Sequence, residues 1–151
     1  MSIEDDVRAL AVVPMFSVLS PDHLRLIAFG TEHLVLNKGR ELFRAGERAD
    51  CAFLILSGEV SFFEDQGMNR RITGNAQTGS LIGELALIAD QKRPIGAVAA
   101  EDCEIMRINR SLFRRVLDEY PDVAAALHAQ LQARFSDFLA KITRLESKFA
   151  D

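Results

Sequence analysis

Only two cysteines and three histidines occur in the 151 residues, and none of the five stands at a metal-ligand spacing. Cys51 and Cys103 lie far apart with no Cys-x-x-Cys pair, which argues against a disulfide scaffold, a structural zinc or a thiol redox centre. They read instead as core residues in a reducing compartment. His23, His33 and His128 sit on separate segments as surface or partly buried residues, so no metal site is expected. Long hydrophobic runs are missing too. The longest, Ala9 to Phe16, contains Pro14 and falls well short of the roughly 20 residues a bilayer span needs. Positive charge is not in excess: 18 Lys and Arg face 22 Asp and Glu, a net charge of −4, so nothing draws the chain to a phosphate backbone. The first six residues are acidic where a secretory signal would be basic, and a cytoplasmic location is expected. No Ser-His-Asp or Cys-His arrangement stands out, and the acid pairs Asp5-Asp6 and Asp118-Glu119 read as solvated helix positions. Enzyme, metal, membrane and nucleic-acid functions all lack support, and no cofactor is expected.

What remains is an ordinary soluble composition, 48% hydrophobic and 26% charged, with no linker, low-complexity tract or internal repeat. One domain is expected over residues 1–151, with N-terminal helices at 3–29, a β region at 31–108 and C-terminal helices at 110–149. Ile3, Val7, Leu10 and Ala11 fall at helical spacing until Pro14 breaks the pattern. Ser20-Pro21 is an N-cap followed by proline at the first helical position, and Gly30 ends that helix. From Thr31 the apolar period shortens. Short strands at Leu34–Leu36, Glu41–Phe43, Cys51–Leu56, Val60–Phe63, Arg71–Gln77, Gly96–Ala100 and Cys103–Ile108 alternate with glycine turns, as in a sandwich or closed roll. Asn109 is an N-cap candidate for a helix from Arg110 to Glu119. Leu131, Phe135, Phe138, Ile142, Leu145 and Phe149 then recur at spacings of 4, 3, 4, 3 and 4, a heptad seam.

The stretch with chemical content is Gly79-Ser80-Leu81-Ile82-Gly83-Glu84-Leu85-Ala86-Leu87-Ile88, followed by Arg93. A glycine lets backbone approach a ligand closely, and a short helical turn that begins there offers free N–H groups to an anion. A guanidinium a loop's length away grips two oxygens of the same anion. Glu84 disfavours a phosphate by charge and makes sense as an acceptor for a hydroxyl beside it, such as a ribose 2′-OH. These needs describe a sugar cyclic phosphate better than a free anion. Taken alone the string is common, and an arginine at that distance is more often a surface charge.

The run Gly83-Glu84-Leu85-Ala86-Leu87-Ile88 with Arg93 resembles the phosphate-binding cassette of the cyclic-nucleotide-binding domain family. That family includes catabolite-activator-type regulators, regulatory subunits of cAMP-dependent kinase and nucleotide-gated channels. Asp50 to Val60 resembles its strand-turn-strand, Gly39 and Gly46 match its turn glycines, and Ile105 to Arg110 is similar to its entry into the final helices. The similarity covers roughly residues 15 to 148. It implies a mainly β fold with flanking helices: a double-stranded β-helix or jelly roll (the cyclic-nucleotide-binding β-roll) with N-terminal helices and two C-terminal helices. It implies a ligand, cAMP or cGMP, and assigns roles. Gly83 admits the ribose phosphate, Glu84 accepts from the 2′-OH, the N–H groups of Leu85 and Ala86 meet the phosphate, and Arg93 neutralises it. Val60, Ile72, Leu81 and Ile82 form the apolar wall under the base.

One departure bears on binding. The family follows its arginine with a small or hydroxyl residue, whereas this chain reads Arg93-Pro94-Ile95-Gly96. Proline offers no N–H, a loss of about 1.5–3 kcal/mol against a charged acceptor, or roughly ten- to a hundredfold in affinity. It also removes the hydroxyl that would favour guanine, which points to cAMP over cGMP. The expected function is a stand-alone cyclic-nucleotide sensor that signals through its C-terminal helices to an unidentified protein partner. The alternative is a nucleotide-blind interaction or dimerisation module with a degenerate pocket. The seam helix, 124–149, either packs back on the roll as a lid or pairs with a second copy, and a homodimer is expected. Its basic Lys141, Arg144 and Lys148 read as a solvated side. A DNA-reading role is not expected, since no helix-turn-helix pattern follows the long helix.

Overall fold

The structure, a computed structural model, describes residues 2–149, with the side chains of the last helix described through residue 144. Ser2 caps α1 (Ile3–Ala11) through a capping box with Asp5. The helix stops short of Val13, which is extended (φ −75°, ψ 123°) because a residue before proline is driven out of the helical region. Pro14 then opens a 3-10 turn, Pro14–Phe16. In α2 (Pro21–Gly30) Ser20 caps as expected, and the reciprocal partner is His23, whose Nδ1 accepts from the Ser20 N–H at 3.2 Å.

Ten strands follow: β1 (Glu32–Leu36), β2 (Glu41–Phe43), β3 (Arg48–Ala49), β4 (Cys51–Ser57), β5 (Glu59–Gln66), β6 (Asn69–Gln77), β7 (Leu81–Ile82), β8 (Gln91–Lys92), β9 (Gly96–Ala99) and β10 (Cys103–Asn109). A 3-10 turn, Glu84–Leu87, stands between β7 and β8. All pairings are antiparallel. One sheet has the order β1-β10-β4-β7 and the facing one β2-β9-β5-β6, with β3 and β8 paired apart. This is the β-roll that the family resemblance implies, one of the two arrangements left open by the strand and turn spacing.

Why β4 reads as an unbroken apolar run becomes clear from its two faces. Cys51, Phe53 and Ile55 point into the roll, while Ala52 and Leu54 belong to a second cluster shared with the helices. A strand covered on both sides has no solvent face to mark with polar residues. The second cluster joins Leu10, Phe16 and Ile27 to Phe113 and Val116 of α3 (Arg110–Glu119), with the Phe16 and Phe113 rings 5.8 Å apart. Asn109 does occupy the N-cap of α3, but its side chain makes no capping bond. The last helix, α4 (Pro121–Phe149), divides along its length. Val123 and Leu127 are buried in the helical cluster and Leu131 packs against it, whereas Phe135, Phe138, Leu139 and Ile142 are exposed. Its first half packs on the helical cluster, while the seam positions Phe135, Phe138 and Ile142 face solvent. Leu145 and Phe149 of the seam, and Lys148, lie outside the described side chains. Among the described residues, no helix is long and apolar enough to cross a membrane.

Candidate functional site

The β7 strand delivers the chain to Gly83, whose φ of +74° is the left-handed conformation that opens the turn Glu84–Leu87. A second constraint acts on the same glycine. A Cβ there would strike Nη1 of Arg93, so the absence of a side chain is what lets the guanidinium lie against the turn.

Arg93 is 5% exposed. Its backbone is pinned on both sides: the Arg93 N–H donates to the Glu47 carbonyl at 2.7 Å and its carbonyl accepts from the Gly46 N–H at 2.8 Å. Those bonds fix the backbone directly ahead of Pro94. The side chain runs inward, where Nη2 donates to the Cys51 carbonyl at 2.7 Å. Its guanidinium carbon lies 4.4 Å from the Phe43 ring centre and 5.4 Å from that of Phe53. Among the described residues no carboxylate pairs with it. A cation removed from water with one carbonyl, the Cys51 sulfur at 3.5 Å and two ring faces for company is incompletely compensated.

A cavity of about 420 Å³ opens beside this cation. Leu81, Ile82, Gly83, Glu84, Leu85 and Arg93 line it, as the cassette reading requires, and so do Pro94 and Ile95. Ala86 is fully buried and does not line it; its N–H donates to the Gly83 carbonyl at 3.0 Å, closing the turn. Of the two N–H groups assigned to an anion, Leu85's alone lacks a backbone acceptor among the described residues. Val60 and Ile72 also fall outside the lining. Val60 is fully buried in the roll's core, and Ile72 stands beyond the bulge at Phe62/Phe63, paired with Phe63 and 51% exposed. Their places are taken by Phe62 and Ala76 of the same two strands, with Phe43 completing the apolar wall. Phe62 was legible, since it shares a face with Val60 two residues away. Phe43 was not, because it comes from a strand distant in sequence.

Two further arginines tie the helices to this turn. Arg110, at the start of α3, donates through Nε to the Ala86 carbonyl at 2.5 Å and through Nη2 to the Ala49 carbonyl. Arg134, on α4, brings Nη2 to 3.4 Å from Oε1 of Glu84. Gln130, one helical turn before it, donates to the Pro14 carbonyl at 2.8 Å and fastens α4 to the N-terminal 3-10 turn. Neither arginine contact follows from local sequence pattern, because both need the helices docked first. The remaining chemistry is quiet: Cys51 and Cys103 are free and buried, and burial pushes both thiols up from their ordinary value. Among the described residues, no group of histidines, cysteines and acids could hold a metal ion.

Comparison with known proteins agrees with this geometry. Residues 33–120 match the family model of the cyclic nucleotide-binding domain. The chain is 35% identical over 103 residues, 68% of its length, to a cAMP-dependent protein kinase regulatory subunit of Eremothecium gossypii, of which it covers 22%. It spans less than a quarter of the length of the curated relatives that it matches first. Among solved structures it is similar to a cyclic nucleotide-binding-like protein of Brucella abortus (46% identity, TM-score 0.71, 76% of this chain and 98% of that one). It also shares its fold with the N-terminal domain of a transcriptional regulator of Streptomyces coelicolor (20% identity, TM-score 0.81, 89% of this chain and 94% of that one).

Proposed function

Because the chain belongs to the cyclic nucleotide-binding domain family, we propose that it is a cyclic-nucleotide sensor whose preferred ligand is cAMP and whose output runs through α3 and α4. One observation carries the reading: a buried guanidinium, Arg93, faces a largely apolar cavity and forms no ion pair among the described residues. A cyclic phosphate would supply the missing charge as a charge-assisted, two-pronged contact. Gly83 and the Leu85 N–H would border the same phosphate, and Glu84 would accept from the 2′-OH. Phe43, Phe62, Ala76 and Ile95, with Leu81 and Ile82, would cover the base. The lack of a hydroxyl at Pro94 favours adenine over guanine.

The signalling step uses Glu84 twice. Its carboxylate faces Arg134 of α4. A ribose hydroxyl at Glu84 competes for that carboxylate, so ligand occupancy and the position of α4 are linked, and the ligand shifts the helix only by its preference for one position. The exposed half of α4, with Phe135, Phe138, Leu139 and Ile142 on offer, would pair with a second copy as a homodimer.

A second reading has its own support. Pro94 lacks one phosphate donor and the Ala86 N–H is engaged with Gly83, as in a nucleotide-blind dimerisation module. Calorimetry with cAMP and with cGMP separates the two. The sensor reading expects heat with cAMP, weaker binding of cGMP, and loss of both in Arg93→Ala; silence with both nucleotides at high micromolar concentration leaves the dimerisation module.

A further inference from the structure

Away from the cassette, positive charge gathers at the start of α3. Arg107, Arg110, Arg114 and Arg115 line an open cleft of about 770 Å³, with Asp50 and Asp118 as its acids and no apolar side chain in the lining. Arg107 is poorly matched there. Its nearest carboxylates are Asp50 at 3.8 Å and Glu32 at 4.0 Å, and its Nε is shut away from water without a hydrogen-bond partner. Arg114 and Arg115 are exposed and neither forms an ion pair among the described residues. Arg110 also pairs with Asp90 at 3.7 Å, so the positive charge left without an ion pair among the described residues is that of Arg114 and Arg115, which stand side by side at the cleft.

We propose that this cleft docks an acidic segment of a partner protein. Guanidinium forks match carboxylates in pairs, and complementary charge steers such an encounter. A nucleobase or acyl chain would find no ring or apolar wall in the cleft. The two aspartates interrupt the patch, which suits separately spaced acidic side chains and opposes the continuous charge of a nucleic-acid backbone. The cleft also communicates with the cassette. Arg110, within it, is the residue that bonds the Ala86 carbonyl, so a segment drawing on α3 loads the turn at Gly83. That coupling, unlike the docking itself, rests on the sensor reading, and by linkage it works in both directions.

Fluorescence anisotropy on the full chain with a fluorescein-labelled hexaglutamate peptide tests the docking, with single-stranded DNA and inorganic phosphate as competitors. Binding that weakens with salt and drops at least about tenfold in Arg114→Glu/Arg115→Glu is expected. The milder Arg114→Gln/Arg115→Gln pair is expected to weaken it as well, and Arg71→Glu, the same kind of charge reversal on β6, to leave it unchanged. The proposal is overturned by no binding to the wild-type chain, by equal binding to both double variants, or by DNA or phosphate displacing the label at lower concentration than unlabelled hexaglutamate.

Discussion

Arg93 is held where an arginine has little reason to be on stability grounds. The Gly46-Glu47 turn fixes its backbone, Gly83 makes room for its head group, and Phe43 and Phe53 supply ring faces, yet none of these cancels its charge. On the sensor reading, Pro94 beside it limits how tightly the pocket grips the ligand's phosphate. Replacing it with a residue that has both an N–H and a hydroxyl reverses that limit. Pro94→Ser is expected to tighten cAMP binding by about ten- to a hundredfold and to raise cGMP affinity by a larger factor, read by parallel calorimetric titrations. An unchanged cAMP affinity would mean that the phosphate does not lie against position 94.

Among the elements, α4 is divided between an anchored half and an exposed half. Its first turns are anchored by Val123, Leu127 and Gln130, and its later turns present Phe135, Phe138, Leu139 and Ile142 to solvent. Phe138→Glu is therefore expected to abolish self-association in analytical ultracentrifugation while leaving thermal stability of the monomer within about 0.5 kcal/mol of wild type, as for an exposed site. A stripe that served only as a lid would give the opposite pattern, lost stability without a change of mass. This division also marks what sequence pattern could and could not reveal. The heptad spacing exposed the seam, the glycine turns exposed the roll, and Ser20-Pro21 exposed a helix start, because each is a local or periodic signal. Gly83, Glu84 and Arg93 were legible as a local string. The wall residue Phe43, the buried place of Val60 and the partnership of Glu84 with Arg134 depend on strand register, a bulge and helix docking, which no short stretch encodes.

For the whole molecule, pH dependence follows from surface pairs and not from the cysteines. Hydrogen bonds from Arg44 and Arg70 hold Glu41 below the ordinary carboxylate value, the Arg48 guanidinium does the same to Asp90, and that of Arg25 does so to Glu4 across the α1–α2 junction. A carboxylate depressed in the folded state contributes stability above its unfolded pKa, and that contribution is lost as pH falls through the folded value. Stability is thus expected to be level from neutral pH down to about pH 5 and to decline below about pH 4. Glu4 and Asp90 are exposed and Glu41 is half-buried, so high salt is expected to shrink the difference, most at the first two. Urea midpoints at neutral and acid pH, with and without salt, check this. A midpoint that falls between pH 7 and 5 would point to a different set of groups.

The central claim is that Arg93 is kept for a ligand and not for the fold, and chemical denaturation of Arg93→Met with and without saturating cAMP tests it most directly. Methionine fills a similar volume without the charge. The expected variant is at least as stable as wild type when ligand-free and gains nothing from cAMP, while wild type gains about 2.7 kcal/mol at a hundred times its dissociation constant. A variant that is destabilised without ligand yet still gains from cAMP would contradict the claim.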